Sequence, residues 1–227
     1  MSGKSVLVVG AGGVLGAAIC AEFARAGYRV VGLRRSLSTH ARPGVRFVRC
    51  DLADAAATSS AAEAAVAELG RVDVVVCNAA HLVVAPFAEL SFEDFEESWR
   101  VSVGSTIGAA RAVLPSMAAR GSGAFIVSGA TGSRRGSTRF AAFATAKFAL
   151  RGLTQSLSRE YHPMGVHVAH VVLDGLLRGS ASAARNDAQP EQCIDPAEVA
   201  TIYRTLAEQE SSAWTHELDL RPKSGSF

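Results

Sequence analysis

The chain has 227 residues, a 48% hydrophobic fraction and a net charge of +2. That length fits one domain with a sizeable core, and the near-neutral balance without a long basic run argues against nucleic acid as a partner. The apolar stretch after Lys4 is interrupted by Gly10-Ala11-Gly12-Gly13, so it reads as a buried strand and turn, neither a targeting segment nor a membrane span.

Ser5 to Val9 reads as a strand. The glycine turn follows, Leu15 to Ala26 has helical spacing, and Gly27 stops that helix. Tyr28 to Leu33 and Val45 to Cys50 are strands, Ala55 to Leu69 an alanine-rich helix closed by Gly70, and Val72 to Cys77 a fourth strand. That strand has no polar residue after Asp73, as expected where both faces of a sheet are covered. Ser91, with Asp94 three residues on, opens a long helix with Leu114-Pro115 late in it. Ala124 to Ser128 is a strand, Phe140 to Tyr161 a helix, and Val166 to Leu173 a strand that sends His167 and His170 to opposite faces. Asp195-Pro196 starts another helix and Trp214 to Leu220 is the last strand. The alternation predicts a three-layer α/β domain with a Rossmann-like, doubly wound parallel sheet over residues 1–227, and the Ser/Ala-rich segment 179–193 as a substrate lid.

The four cysteines show no Cys-x-x-Cys pair and the six histidines no ligand cluster, so no metal is expected. The cysteines read as reduced core thiols of a cytoplasmic protein.

Gly10-Ala-Gly-Gly13-Val-Leu15-Gly16 follows a strand and opens a helix, a pattern in which backbone N–H groups can cradle a pyrophosphate. Where an NAD enzyme offers an acidic residue at the end of the second strand, this chain has Arg34-Arg35, whose guanidinium groups suit a 2′-phosphate. The order of the glycine turn, Asp51-Leu52, Asn78-Ala79-Ala80, Leu114-Pro115 and Phe143-x-x-x-Lys147 resembles the short-chain dehydrogenase/reductase (SDR) family from Val6 to Leu220. The resemblance implies an adenine contact at Asp51 and Leu52, further cofactor contacts at Asn78, Ala79, Ala80 and Gly175, and a ribose contact at Lys147. NADP(H) is the expected cofactor, with NAD(H) or none as alternatives. Association into a homodimer or homotetramer through the helices from Ser91 to Met117 and Phe140 to Tyr161 is also implied.

The family's Asn-Ser-Tyr-Lys tetrad maps onto Ser102, Gly129 (with Ser128 one residue off), Phe143 and Lys147, so only the lysine keeps its type. Phenylalanine moves no proton. Tyr28 and Tyr161 lie far from Lys147, Tyr161 by about 21 Å along its helix, and Tyr203 reaches the site only if its helix folds over it. His81, Asp174 or Lys147 itself are candidate acids, with Ser128, Ser102 or Thr131 orienting a carbonyl, and Arg134-Arg135 a candidate contact for an acidic substrate. Three readings follow. The first is an atypical NADP(H)-dependent oxidoreductase acting on a small apolar carbonyl, imine or activated alkene. The second is a redox-neutral cyclase, isomerase or dehydratase on the same scaffold. The third is a non-catalytic binding subunit.

Overall fold

The computed structural model describes residues 3–37 and 43–224. In chain order the strands are β1 (Ser5–Val9), β2 (Arg29–Arg34), β3 (Val45–Arg49), β4 (Val74–Cys77), β5 (Gly123–Ser128), β6 (Val166–Leu173), β7 (Leu176–Leu177), β8 (Cys193–Ile194) and β9 (Glu217–Leu220). The helices are α1 (Gly13–Arg25), α2 (Ala55–Leu69), α3 (Phe92–Trp99), α4 (Ser105–Arg120), α5 (Ala141–Tyr161), α6 (Ala181–Arg185) and α7 (Pro196–Ala207).

Seven strands form one parallel sheet in the order β3-β2-β1-β4-β5-β6-β9. The chain winds outward from β1 in one direction and from β4 in the other. A crevice therefore opens at the C-terminal ends of those two strands, where such sheets bind ligands. Phe125 and Val127 of β5 pack with Leu69 of α2, Ala109 of α4 and Leu150 of α5, whereas Ala124 and Ile126 pack with Ile19 and Phe23 of α1 and Val199 and Tyr203 of α7. Strand alternation thus divides the core into two layers, and it decides below which side chains reach the site.

Two elements differ from the sequence-based expectation. The helix opened by Ser91, whose capping box with Asp94 is present, is interrupted by a π-helical turn at Arg100–Gly104 that buries Val101 to Gly104. One extra residue is accommodated there, and α4 continues to Arg120 with Pro115 inside it. The 179–193 segment is also more regular than a loop: Ser180 caps α6, and β8 returns to pair with β7 in a two-stranded flap. No described helix is long and apolar enough to cross a membrane.

Candidate active site

The turn between β1 and α1 leaves backbone groups facing outward. Gly10 and Gly13 have φ values of 91° and 65°, which strain any residue with a Cβ. A Cβ on Gly10 would lie 2.5 Å from the Ala79 nitrogen, and one on Gly16 would lie 2.3 Å from the Gly10 carbonyl oxygen. These glycines press the turn onto the end of β4 and onto the first turn of α1, whose Leu15 is buried. Gly12 and Gly13, by contrast, face open space. No side chain caps α1 there. Its free N–H groups and positive dipole end therefore line an open cradle, the surroundings a pyrophosphate requires.

A cavity of about 280 Å³ runs from Gly12 to Arg34, Arg35, Asp51 and Leu52. The Arg34 guanidinium lies 4.9 Å from the centroid of the Phe47 ring, which holds it in place, and Arg35 is exposed. Asn78 anchors this end: its Nδ2 donates to the Gly10 carbonyl at 3.0 Å and its Oδ1 accepts from Ser128 Oγ at 3.1 Å. These residues fit a phosphorylated dinucleotide. His81 lies in this cavity too, with Nδ1 3.5 Å from Glu97 Oε1. Expected at the substrate, it does not line the larger cavity over the ends of β5 and β6. The α3 carboxylate holds the imidazole on the cofactor side, and Leu82, one residue on, lines the substrate cavity instead.

That second cavity, of about 550 Å³, opens over the ends of β5 and β6. Lys147 is 2% exposed at its floor. Its Nζ donates to the Ser128 carbonyl at 2.9 Å and stands 5.6 Å from the centroid of the Phe143 ring. Burial pulls the ammonium pKa down to about 8. Phe140, Phe143, Leu82, Leu176 and Leu177 make an apolar wall, and Thr131, Ser137, Ser180 and Ser182 contribute hydroxyls.

Ser128 lines the cavity and Ser102 does not. Ser128 shares its face of β5 with Ala124 and Ile126, so its hydroxyl points to the α7 layer, away from α5, and is spent on Asn78 and on the Tyr203 hydroxyl at 2.8 Å. Ser102 sits in the π turn, fully buried and outside the cavity wall, with no partner for its hydroxyl among the described residues.

Tyr203 meets the condition set for it only in part. α7 does fold over the sheet end, and the phenol reaches Ser128, but from behind: it has no exposure, does not line the cavity, and burial pushes its pKa up. The signal was present in α7, where Val199, Tyr203 and Leu206 fall on one helical face.

Gly129 carries the chain past β5 with its missing side chain directed at the α5 layer. A Cβ there would lie 2.4 Å from His170 Nε2 and 3.0 Å from Ser133 Oγ. The fully buried imidazole thus fills the direction in which a serine at 129 would project. His170 Nδ1 stands 3.4 Å from Glu217 Oε2, and Arg151 grips that carboxylate through Nε and Nη2, each at 2.7 Å. Burial, with the Lys147 and Arg151 charges behind it, depresses the imidazole pKa against the opposing pull of Glu217. His167 faces the other layer, its ring nitrogens 3.0 Å and 2.8 Å from the Leu206 and Thr215 carbonyls.

Asp174, expected as an acid, instead accepts from Thr131 Oγ1 at 2.5 Å and faces the guanidinium groups of Arg135 and Arg221 at 3.5 Å and 3.4 Å. Arg134 is paired with Asp219. Arg134 is thus turned to an internal carboxylate, whereas Arg135, half exposed, also lines the cavity. Gly175 lines the cavity and lets Pro222 approach, since a Cβ there would lie 2.8 Å from Pro222 Cδ.

A family model for short chain dehydrogenases matches residues 4–189. The chain is 33% identical over 200 residues to L-xylulose reductase of Bos taurus, covering 86% of this chain and 80% of that protein. It is 30% identical over 177 residues to D-threitol dehydrogenase of Mycolicibacterium smegmatis, covering 74% of this chain and 68% of that protein. The structure of a short-chain dehydrogenase from Rhodopseudomonas palustris superposes with a TM-score of 0.82 at 32% identity, covering 96% of this chain and 98% of that one. A metagenomic short-chain oxidoreductase in complex with NADP superposes with a TM-score of 0.82 at 25% identity, covering 98% of each chain.

Proposed function

Because the chain belongs to the short-chain dehydrogenase family, we propose that it is an NADP(H)-dependent oxidoreductase in which Lys147, standing beside Phe143, supplies the proton that a phenol would otherwise deliver. The observation that carries this reading is the Lys147 ammonium, buried at the floor of the apolar cavity with one proton held by the Ser128 carbonyl. Its pKa of about 8 leaves it protonated at neutral pH yet able to give a proton up.

Gly12, Gly13 and the first N–H groups of α1 would hold the pyrophosphate, Arg34 and Arg35 a 2′-phosphate, Asp51 and Leu52 the adenine, and Ala79 and Ala80 the cofactor's middle. The cofactor's chemistry is hydride transfer. Lys147 would contact the ribose as well as the acceptor atom. Loss of one specialised acid group costs roughly 10²–10⁴-fold, so substrates that need less acid help are favoured: an iminium ion, or an activated alkene as well as a small ketone. The apolar wall of Leu82, Phe140, Phe143 and Leu176 supports a less hydroxylated substrate than the sugar and polyol compounds for which the relatives are named. That Ser180 and Ser182 line the cavity supports reading the 179–193 flap as a substrate lid.

A homodimer or homotetramer would cover Phe92, Trp99 and Phe148, which are exposed on the helices of the expected interface. A monomer in sedimentation equilibrium at micromolar concentration would remove that part. Four buried cysteines suit a cytoplasmic setting.

The test is NADPH oxidation with ketones, imines and enones across roughly pH 6 to 10. kcat/KM should stay level below pH 8 and fall by roughly tenfold per unit above it, as the ammonium deprotonates, and Lys147→Met should lose about 10²–10⁴-fold. A rate that rises with pH, or a Lys147→Met variant of full activity, removes Lys147 from the role. If no class of acceptor oxidises NADPH, the redox-neutral or binding-subunit reading takes its place.

A further inference from the structure

A third cavity, of about 730 Å³, adjoins the substrate cavity, and the two share Leu82, Phe140, Leu176 and Ser182. The shared wall continues outward over Val83 and Val84 and meets two arginines, Arg139 and Arg185. They come from separate segments, one from the loop before α5 and the other from the end of α6 in the flap.

These two differ from Arg134, Arg135 and Arg178, which come from the same loop and flap. Arg134 is paired with Asp219, Arg135 with Asp174 and Arg178 with Asp195. Among the described residues Arg139 and Arg185 form no ion pair, and the one side-chain bond is from Arg185 Nη2 to Ser182 Oγ at 3.1 Å. Arg139 is also held in a left-handed backbone conformation, φ 72°, with its carbonyl accepting from the Ala85 N–H at 3.0 Å. That conformation is costly for a residue with a Cβ and persists only where the surroundings impose it. Here it fixes the base of a charged side chain at the entry to an apolar cavity.

We propose that Arg139 and Arg185 bind the anionic head group, a carboxylate or phosphate, of a substrate whose apolar body runs along Leu82, Phe140 and Leu176 toward Lys147. The inference rests on the reading above, in which the inner cavity takes an apolar acceptor. Guanidinium groups match the planar, bidentate geometry of a carboxylate or phosphate. A neutral polyol offers neither guanidinium a counter-charge.

The experiment is calorimetric binding to the full chain, with and without NADPH, of phenylbutanoate, phenylethyl phosphate and the neutral phenylbutanol. At least one anion should bind about tenfold tighter than the alcohol at low salt, and the margin should shrink as salt is added. The double variant Arg139→Gln/Arg185→Gln should lose the preference and keep its affinity for the alcohol and for NADPH. Arg139→Gly, which removes the charge and relieves the backbone, should lose part of it without unfolding. Equal affinity for all three probes, or a preference that survives the double variant, overturns the proposal. A preference for phenylethyl phosphate matched by inorganic phosphate alone overturns the apolar half of it. No turnover is needed, so anion binding without NADPH oxidation would sink the redox reading and leave this one standing.

Discussion

At the glycine turn the ligand-facing surface is made of backbone. The groups that matter are the N–H groups of α1 and the space over Gly12 and Gly13. At Lys147 the surface is made of side chains: Phe143, Phe140, a lysine and, out of sight, a histidine where a serine side chain would project. The comparison explains why the first region keeps its form while the family resemblance is incomplete in both. A backbone cradle tolerates changes in the side chains around it, because none of them replaces the N–H groups that line it. A side-chain site changes its chemistry with each substitution.

The largest effect should come from breaking the cofactor end at its side-chain part. Arg34→Ala/Arg35→Ala should weaken NADPH by about 100-fold and NADH hardly at all, through loss of charge-assisted hydrogen bonds. Calorimetry that shows the wild type preferring NADH would refute the 2′-phosphate assignment. Next comes restoration of the serine. Gly129→Ser drives its side chain into His170 and should cost about 2 kcal/mol, seen as a fall in Tm of roughly 4–8 °C. Adding His170→Ala should return part of that loss, so that the double variant is less destabilised than the sum of the two single changes. Strict additivity would mean that the two positions do not meet.

Phe143→Tyr sharpens the comparison from the other side. It places a phenol beside a buried ammonium and should raise kcat/KM about tenfold on ketones. An unchanged rate would mean that position 143 does not face the reacting atom. The smallest effect is on acid stability. The unfolded imidazole titrates near 6.5 and that of His170 at about 4, so the unfolded chain takes up more protons between those values. Stability is complete above that window and falls as pH drops through it, by about 1 kcal/mol at pH 5.5. Glu217, whose pKa Arg151 also holds down against the effect of burial, adds loss of the same sign at lower pH. His170→Leu should flatten the upper part of that slope in thermal melts.

The strands and the glycine turn were legible because their signals are local: apolar runs of the right length, a glycine pattern between a strand and a helix, a capping box at Ser91. Lys147 was legible from its spacing to Phe143, four residues before it. What escaped the sequence lies across elements. Ser128 falls one residue off the expected register, and that single step turns its hydroxyl to the opposite layer of the core. Tyr203 reaches it only because α7 covers that layer. His170 meets Gly129 through β5–β6 pairing, and His81 turns aside because α3 brings Glu97 to it. No spacing within one segment states any of these contacts. The π turn at Arg100–Gly104 was equally hidden, since the helical signal continues on both sides of it.

The wall of the substrate cavity is finished by residues far beyond the helix that carries Lys147. Arg221 faces Asp174, Pro222 packs against Gly175, and Glu217 anchors the His170 ring. All three lie outside the stretch matched by the family model, which stops at residue 189. The last strand and the few residues after it are therefore a keystone, set after the arch has been built. A substitution at Glu217, Arg221 or Pro222 should be felt at the cavity wall, although all three lie far from Lys147 along the chain.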